Sequence, residues 1–342
     1  MKKTALVVCP GRGTYNRAEL GYLAKYAAKQ AALISQFDQT RKALNTMTVT
    51  ELDSQAAFSS RIHLQADNAA ALIFAAGITD FKAINRNKFD LVALTGNSMG
   101  WYTALGCADV WQADTAMQLV TSMAQLTANE AGAQFIYPLA DENWQFSAQR
   151  QQLVNDQIAQ HQGDLFMSIY YGGYAVLAGT KAAVSAAIAE LPPCDERFPL
   201  LLNGHAGFHT PLMQAASDKA LKQWPASHFA APSLPLIDGR GHIWPANVNN
   251  ALQLQQYTLQ HQVCQSYNFS LALQVAVKEF APEHLILLGP GGSLGGAVAQ
   301  SLININWHGL SSKQDFVAAQ EAEAMPYILS MGIDEQRQQV VS

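Results

Sequence analysis

Charge is scarce in this chain. Lys, Arg, Asp and Glu make up 14% of its 342 residues, the formal net charge is −5, and no basic run occurs. That balance argues against nucleic acid as the main partner. Cysteine is scarcer still. Cys9, Cys107, Cys194 and Cys264 show no metal or redox spacing, so the expectation is no metal and reduced core thiols in a cytoplasmic protein. No apolar run approaches the length that spans a bilayer, so no membrane association is expected. The start, MKKTALVVCPG, imitates a leader peptide, but its apolar part stops at Pro10 and no small-residue cleavage site follows. It reads as a first strand. Internal repeats and low-complexity segments are also missing.

What the chain does have is apolar material, 49% of its residues, enough for one large domain or two with a sizeable core. ALVVCPG (5–11) reads as a buried strand ending in a turn, followed by an amphipathic stretch at 17–36. Residues 53–78 read as helical, LVALTG (91–96) as a second buried strand, and 101–108 and 113–130 as helices. From 133 the order becomes strand (AQFIYPLA), helix (149–161), strand (LFMSIYY), strand (YAVLAGT), helix (KAAVSAAIAEL) and strand (FPLLLN). A β-α-β-β-α-β series is the ferredoxin-like signature. Further strands are expected at LPLID (234–238) and HLILLG (284–289). The simplest architecture is one α/β domain, 1–130 and 204–342, interrupted by a ferredoxin-like subdomain at 131–203. A cleft between the two is a natural ligand site.

In DLVALTGNSMGWYTAL (90–105), Gly96, Ser98 and Gly100 form a G-x-S-x-G pattern where a buried strand meets a helix. That is the setting of a nucleophile elbow, in which a strained serine projects its hydroxyl beyond the strand. A tight turn holding an ordinary serine fits the pattern too. A serine nucleophile needs a base within hydrogen-bond reach. NGHAGFHTPLM (203–213) offers His205 and His209 at the exit of an apolar strand, where a side chain is rigidly placed; His205 reads as a polar loop residue.

Four separated stretches, in order, resemble the malonyl-CoA:acyl-carrier-protein transacylase family, which includes the acyltransferase domains of fatty-acid and polyketide synthases. They are PGRGTY (10–15), GNSMGWYTAL (96–105), AGFHTPLM (206–213) and LLGPGGSLGG (287–296), and the inserted subdomain falls where that family places its own. The resemblance runs to about residue 316 and implies an α/β-hydrolase-like large domain around the insert. It implies that Ser98 accepts the acyl group and that His209 is its general base. Gln262, in HQVCQSYNF (261–269), matches the segment whose backbone carbonyl orients the imidazole. The backbone N–H groups of Arg12 and Met99 are the implied oxyanion hole. The implied cycle moves an acyl group from acyl-CoA through a seryl ester to the phosphopantetheine thiol of an acyl carrier protein, with no permanently bound cofactor.

The sequence also departs from the family pattern. The helix after the elbow, ADTAMQLVTSMAQLTANEA (113–131), holds no arginine or lysine, and Met123 stands where malonyl-specific members carry an arginine. A buried carboxylate without a cation costs several kcal/mol, so the expectation is an acyl group other than malonyl. Arg12 replaces a glutamine, either as a surface charge or as a stand-in cation. Asn97 replaces a histidine and Trp101 a glutamate, both expected beside the pocket with Phe208. Two other readings compete: an acyl-thioester hydrolase on the same scaffold, and a non-catalytic homologue that only binds a carrier protein. Dinucleotide binding is disfavoured, since the glycine-rich stretches at 11–16 and 289–294 end in Asn16 and Leu294 rather than glycine.

Overall fold

A computed structural model describes residues 2–128, 130–322 and 325–342. Among the described residues eleven strands form two sheets: β1 (Lys3–Cys9), β2 (Phe89–Gly96), β3 (Ala133–Pro138), β4 (Leu165–Tyr171), β5 (Tyr174–Gly179), β6 (Leu200–Leu201), β7 (Leu236–Ile237), β8 (Ile243–Trp244), β9 (Tyr267–Asn268), β10 (His284–Leu287) and β11 (Ile328–Ser330). The large sheet has the order β11-β10-β1-β2-β7-β8 and is parallel except for the β7–β8 hairpin. Unbroken apolar runs such as ALVVC suit a parallel strand covered on both faces, and Ala5 to Cys9 are fully buried.

One register matters for the site. Val8 pairs with Thr95 and Cys9 with Gly96, so β1 and β2 end at the same level. The loop carrying Arg12 and the turn carrying Ser98 therefore leave the sheet side by side. Sites at the carboxyl ends of parallel strands follow from this arrangement.

The small sheet has the order β6-β3-β5-β4-β9. Its four strands from the insert stand in the order fourth, first, third, second, all antiparallel to their neighbours, as in a ferredoxin-like subdomain. Phe135, Tyr137, Val154, Leu165, Leu177 and Val184 give it a core of its own. The fifth strand, β9, comes from the large domain and pairs parallel with β4, Tyr267 opposite Ile169.

Several elements differ from expectation. The stretch at 17–36 is broken into 3-10 turns, a short helix Tyr22–Tyr26 and a longer one, Ala31–Ala43. Gly21, at φ +86°, begins the short helix and interrupts the periodicity. Where one helical stretch is expected at 53–78, three helices occupy Val49–Asp53, Ser60–His63 and Ala66–Ala83. Asp53 ends the first because its carboxylate accepts from Tyr15 Oη (2.6 Å) and Ala24 N (3.0 Å). FPLLLN reduces to the two-residue edge strand β6. The helix expected at 113–130 runs Ala113–Ala128, and residue 129 lies outside the described residues. Cys9, Cys107 and Cys264 are buried thiols, whereas Cys194 is half-buried.

Residues 328–341 of the tail pack into the core through Ile328, Leu329, Met331, Arg337 and Val340. Arg337, 4% exposed, reaches Asp80 at 2.7 Å, and Asp80 also accepts from Tyr22 Oη and Gly289 N. That buried pair ties the last helix, Asp334–Val341, to the helix Ala66–Ala83. No helix among the described residues is long and apolar enough to cross a membrane.

Candidate active site

The turn after β2 can form only with glycine at two positions. A Cβ at Gly96 would lie 2.3 Å from the Gly100 carbonyl, and one at Gly100 would lie 2.2 Å from the Cys9 oxygen. Between them Ser98 has φ +53°, a left-handed conformation that a side-chain-bearing residue holds only when its surroundings enforce it. Enforcement comes from three bonds: Gly100 N to Asn97 O (2.7 Å), Trp101 N to Ser98 O (3.0 Å) and Gln262 Nε2 to Ser98 O (3.1 Å). The helix Gly100–Cys107 starts at once, so Ser98 stands at a helix N-terminus, which favours negative charge.

His209 is also left-handed, at φ +57°, and is fixed from behind by Thr210, whose hydroxyl donates to Gly207 O at 2.6 Å. Its Nε2 lies 2.7 Å from Ser98 Oγ. Its Nδ1 lies 2.5 Å from the Gln262 carbonyl oxygen. A carbonyl only accepts, so Nδ1 carries the proton and Nε2 is left to accept from the serine hydroxyl. Gln262 lies in a helix that ends at Cys264, so its carbonyl lacks an intrahelical donor and is free for the imidazole. A π-helical turn, Tyr257–His261, precedes it, a feature common next to functional sites. Burial lowers the His209 pKa to about 4, against the smaller upward effect of the Gln262 carbonyl. Among the described residues no carboxylate contacts His209.

The Gln262 side chain completes the frame, accepting from Tyr102 Oη at 3.3 Å while donating to Ser98. Arg12 and Met99 line the same cavity as Ser98, and neither backbone N–H has an acceptor among the described residues. The Arg12 side chain lies half-buried along the cleft. Its Nη2 is 3.4 Å from Gly204 O, its guanidinium lies 5.4 Å from the Phe208 ring centroid, and burial lowers its pKa to about 10.

A cavity of about 450 Å³ opens from Ser98. Asn97, Met123 and Phe208 line it, as the sequence leads one to expect. Trp101 does not: it is fully buried, with Nε1 donating to Thr258 Oγ1 at 3.0 Å. One helical step past Gly100 points it away from the cleft, into the core. His205 also lines the cavity, its Nδ1 2.8 Å from Gln134 Oε1. Burial, with Arg12 adding to it, lowers its pKa to about 3.

No family model matches the chain, and no curated protein matches it in sequence. Solved structures do match. A malonyl-CoA:ACP transacylase from Synechocystis superposes with TM-score 0.74 at 19% identity, covering 98% of this chain and 99% of its own. The malonyl-CoA:acyl carrier protein transacylase of Xanthomonas oryzae gives TM-score 0.75 at 20% identity, covering 100% and 98%. An acyl carrier protein S-malonyltransferase of Vibrio cholerae gives 0.67 at 25%, covering 88% and 94%. The chain has the malonyl-CoA:ACP transacylase fold.

Within that transacylase fold, sequence reasoning missed two residues. Tyr102 sits one helical turn after Ser98, a spacing that marks it as facing the same side. Tyr267 donates to Gly96 O at 2.5 Å and packs its ring 5.6 Å from that of His209, and nothing local in the sequence signals this.

Proposed function

We propose that this protein is an acyltransferase that carries an acyl group from coenzyme A to an acyl carrier protein through a seryl ester on Ser98. The reading rests on one observation above all: Ser98 Oγ and His209 Nε2 are 2.7 Å apart, with Nδ1 held by a carbonyl. In the first half-reaction His209 takes the hydroxyl proton as Ser98 Oγ attacks the thioester carbonyl carbon. The C–O bond forms, the C–S bond breaks, and the proton passes from Nε2 to the departing coenzyme A thiolate. The backbone N–H groups of Arg12 and Met99 stabilise the tetrahedral oxyanion. The second half-reaction reverses these steps with the phosphopantetheine thiol as nucleophile. A solved neighbour, a malonyl-transacylase in complex with a type II PKS acyl-carrier protein, supports a carrier protein as acceptor (TM-score 0.69, 21% identity, 88% of this chain and 93% of that one).

The acyl group in this reading is uncharged. Met123, 3% exposed, lines the cavity on a helix that holds no cation, and the arginines that also line it, Arg12 and Arg197, stand on loops outside that helix. Intact mass after incubation with mixed acyl-CoAs tests the reading: the acyl mass appears on the wild type, is absent from Ser98→Ala, and disappears on adding holo carrier protein as acylated carrier accumulates. Free acid released at the same rate without carrier replaces the transferase with a hydrolase. No adduct from any acyl-CoA ends the proposal.

A further inference from the structure

Part of the cavity wall comes from two helices, and what they contribute is uncharged. The helix Ala66–Ala83 contributes Ala66 and Ala70, one turn apart on one face. The helix Ala113–Ala128 faces it with Val120, Met123, Ala124 and Thr127, which also share a single face. The one hydroxyl among these is spent, since Thr127 Oγ1 donates to the Met123 and Ala124 carbonyls. Its methyl group is what remains to face a ligand.

An alanine-lined gap between helices normally closes by the helices moving together. Here a buried arginine fixes the spacing. Arg41, fully buried, donates to Asp67 O (3.1 Å) and Asn68 Oδ1 (2.5 Å) on one helix and to Thr121 Oγ1 (3.3 Å) on the other. Gln125 Nε2 reaches Asp67 Oδ2 at 3.1 Å and bridges the same two helices again. The gap between the two helices is thus built into the scaffold.

Resting on the transferase reading above, we propose that this gap between the helices receives the tail of a straight, uncharged acyl chain of medium length, and that Ala66, Ala70 and Ala124 set how long the chain is. Each methylene that enters a dry apolar channel adds about 0.8 kcal/mol, which is about a fourfold gain. Acylation of Ser98 by acyl-CoAs therefore rises in kcat/KM from acetyl through butanoyl and hexanoyl by about that factor per methylene, then falls once the chain meets the floor.

The test is single-turnover acylation followed by intact mass, with acetyl-, hexanoyl-, octanoyl- and malonyl-CoA. Ala70→Leu and Ala124→Leu, which fill the channel from opposite walls, each lower the octanoyl-to-acetyl ratio at least tenfold. Labelling of Ser98 by a serine-reactive phosphonate reports whether each variant still folds its elbow. If acetyl or malonyl acylates wild-type Ser98 best and the leucine variants leave the ratio where it was, the channel proposal is overturned while the transferase reading stands. If no acyl-CoA acylates Ser98, the underlying reading itself has failed.

Discussion

Ser98 and His209, 111 residues apart in the chain, both adopt left-handed backbone conformations and meet across 2.7 Å. Neither conformation is cheap for a residue with a side chain. Each is held by bonds from elsewhere, and Gln262 supplies one to each partner, its carbonyl to the imidazole and its amide to the Ser98 carbonyl.

The imidazole stays neutral far into acid. With the His209 pKa lowered to about 4 by burial, the base form dominates at every pH above that value. The acylation rate constant at saturating acyl-CoA should rise with pH through about 4 and be flat from 5 to 8. Stopped acylation assays across that range check it. A midpoint near 6.5 would mean that the ring is solvated and not enclosed.

Gln262→Ala removes the side-chain bonds to Ser98 and Tyr102 but keeps the carbonyl that holds His209. Two buried hydrogen bonds are worth about 1–3 kcal/mol together. The variant should unfold at correspondingly lower urea and acylate about tenfold more slowly, with its pH profile unmoved. A shifted profile would assign the side chain a direct part in the proton transfer.

Met123→Arg installs a cation on the inner wall. The ratio of malonyl to neutral acyl transfer should climb at least tenfold, equivalent to about 1.4 kcal/mol of differential binding. Competition between malonyl- and hexanoyl-CoA, read as adduct mass, measures it directly. Strong malonyl preference in the unaltered protein would remove the basis for this prediction.

Arg337→Ala leaves Asp80 buried without its cationic partner. Breaking such a pair costs about 3–5 kcal/mol. Equilibrium denaturation should show that loss, and Asp80→Asn combined with Arg337→Met should recover part of it. Additive losses would show that the pair contributes nothing as a pair.

Much of this site was legible because its determinants are local. Gly96, Ser98 and Gly100 lie within five residues, and the close approaches at 2.2–2.3 Å explain why nothing larger fits there. The strand exit offers His205 and His209 alike, and only the resemblance of AGFHTPLM to the transacylase histidine segment singles out His209. The β-α-β-β-α-β order survives in sequence because each element carries its own periodicity. Less local features were hidden. The broken helices between residues 17 and 63 are set by tertiary bonds such as Tyr15 to Asp53, which override the apolar pattern. Arg12 was left open between surface and cleft, since only the register of β1 against β2 brings its loop beside the elbow. Trp101 was misplaced because a substitution at a familiar position says nothing about which way a larger side chain turns.

Strand β9 follows the histidine's carbonyl anchor by only a few residues, and it is sewn into the sheet of the other lobe. Excising the insert as a portable module would therefore unravel an edge of what remained. The segment from Gln262 to Tyr267 thus joins the His209 contact to the edge of the small sheet. The position of that lobe and the position of the Gln262 carbonyl behind His209 are in this way linked through the chain.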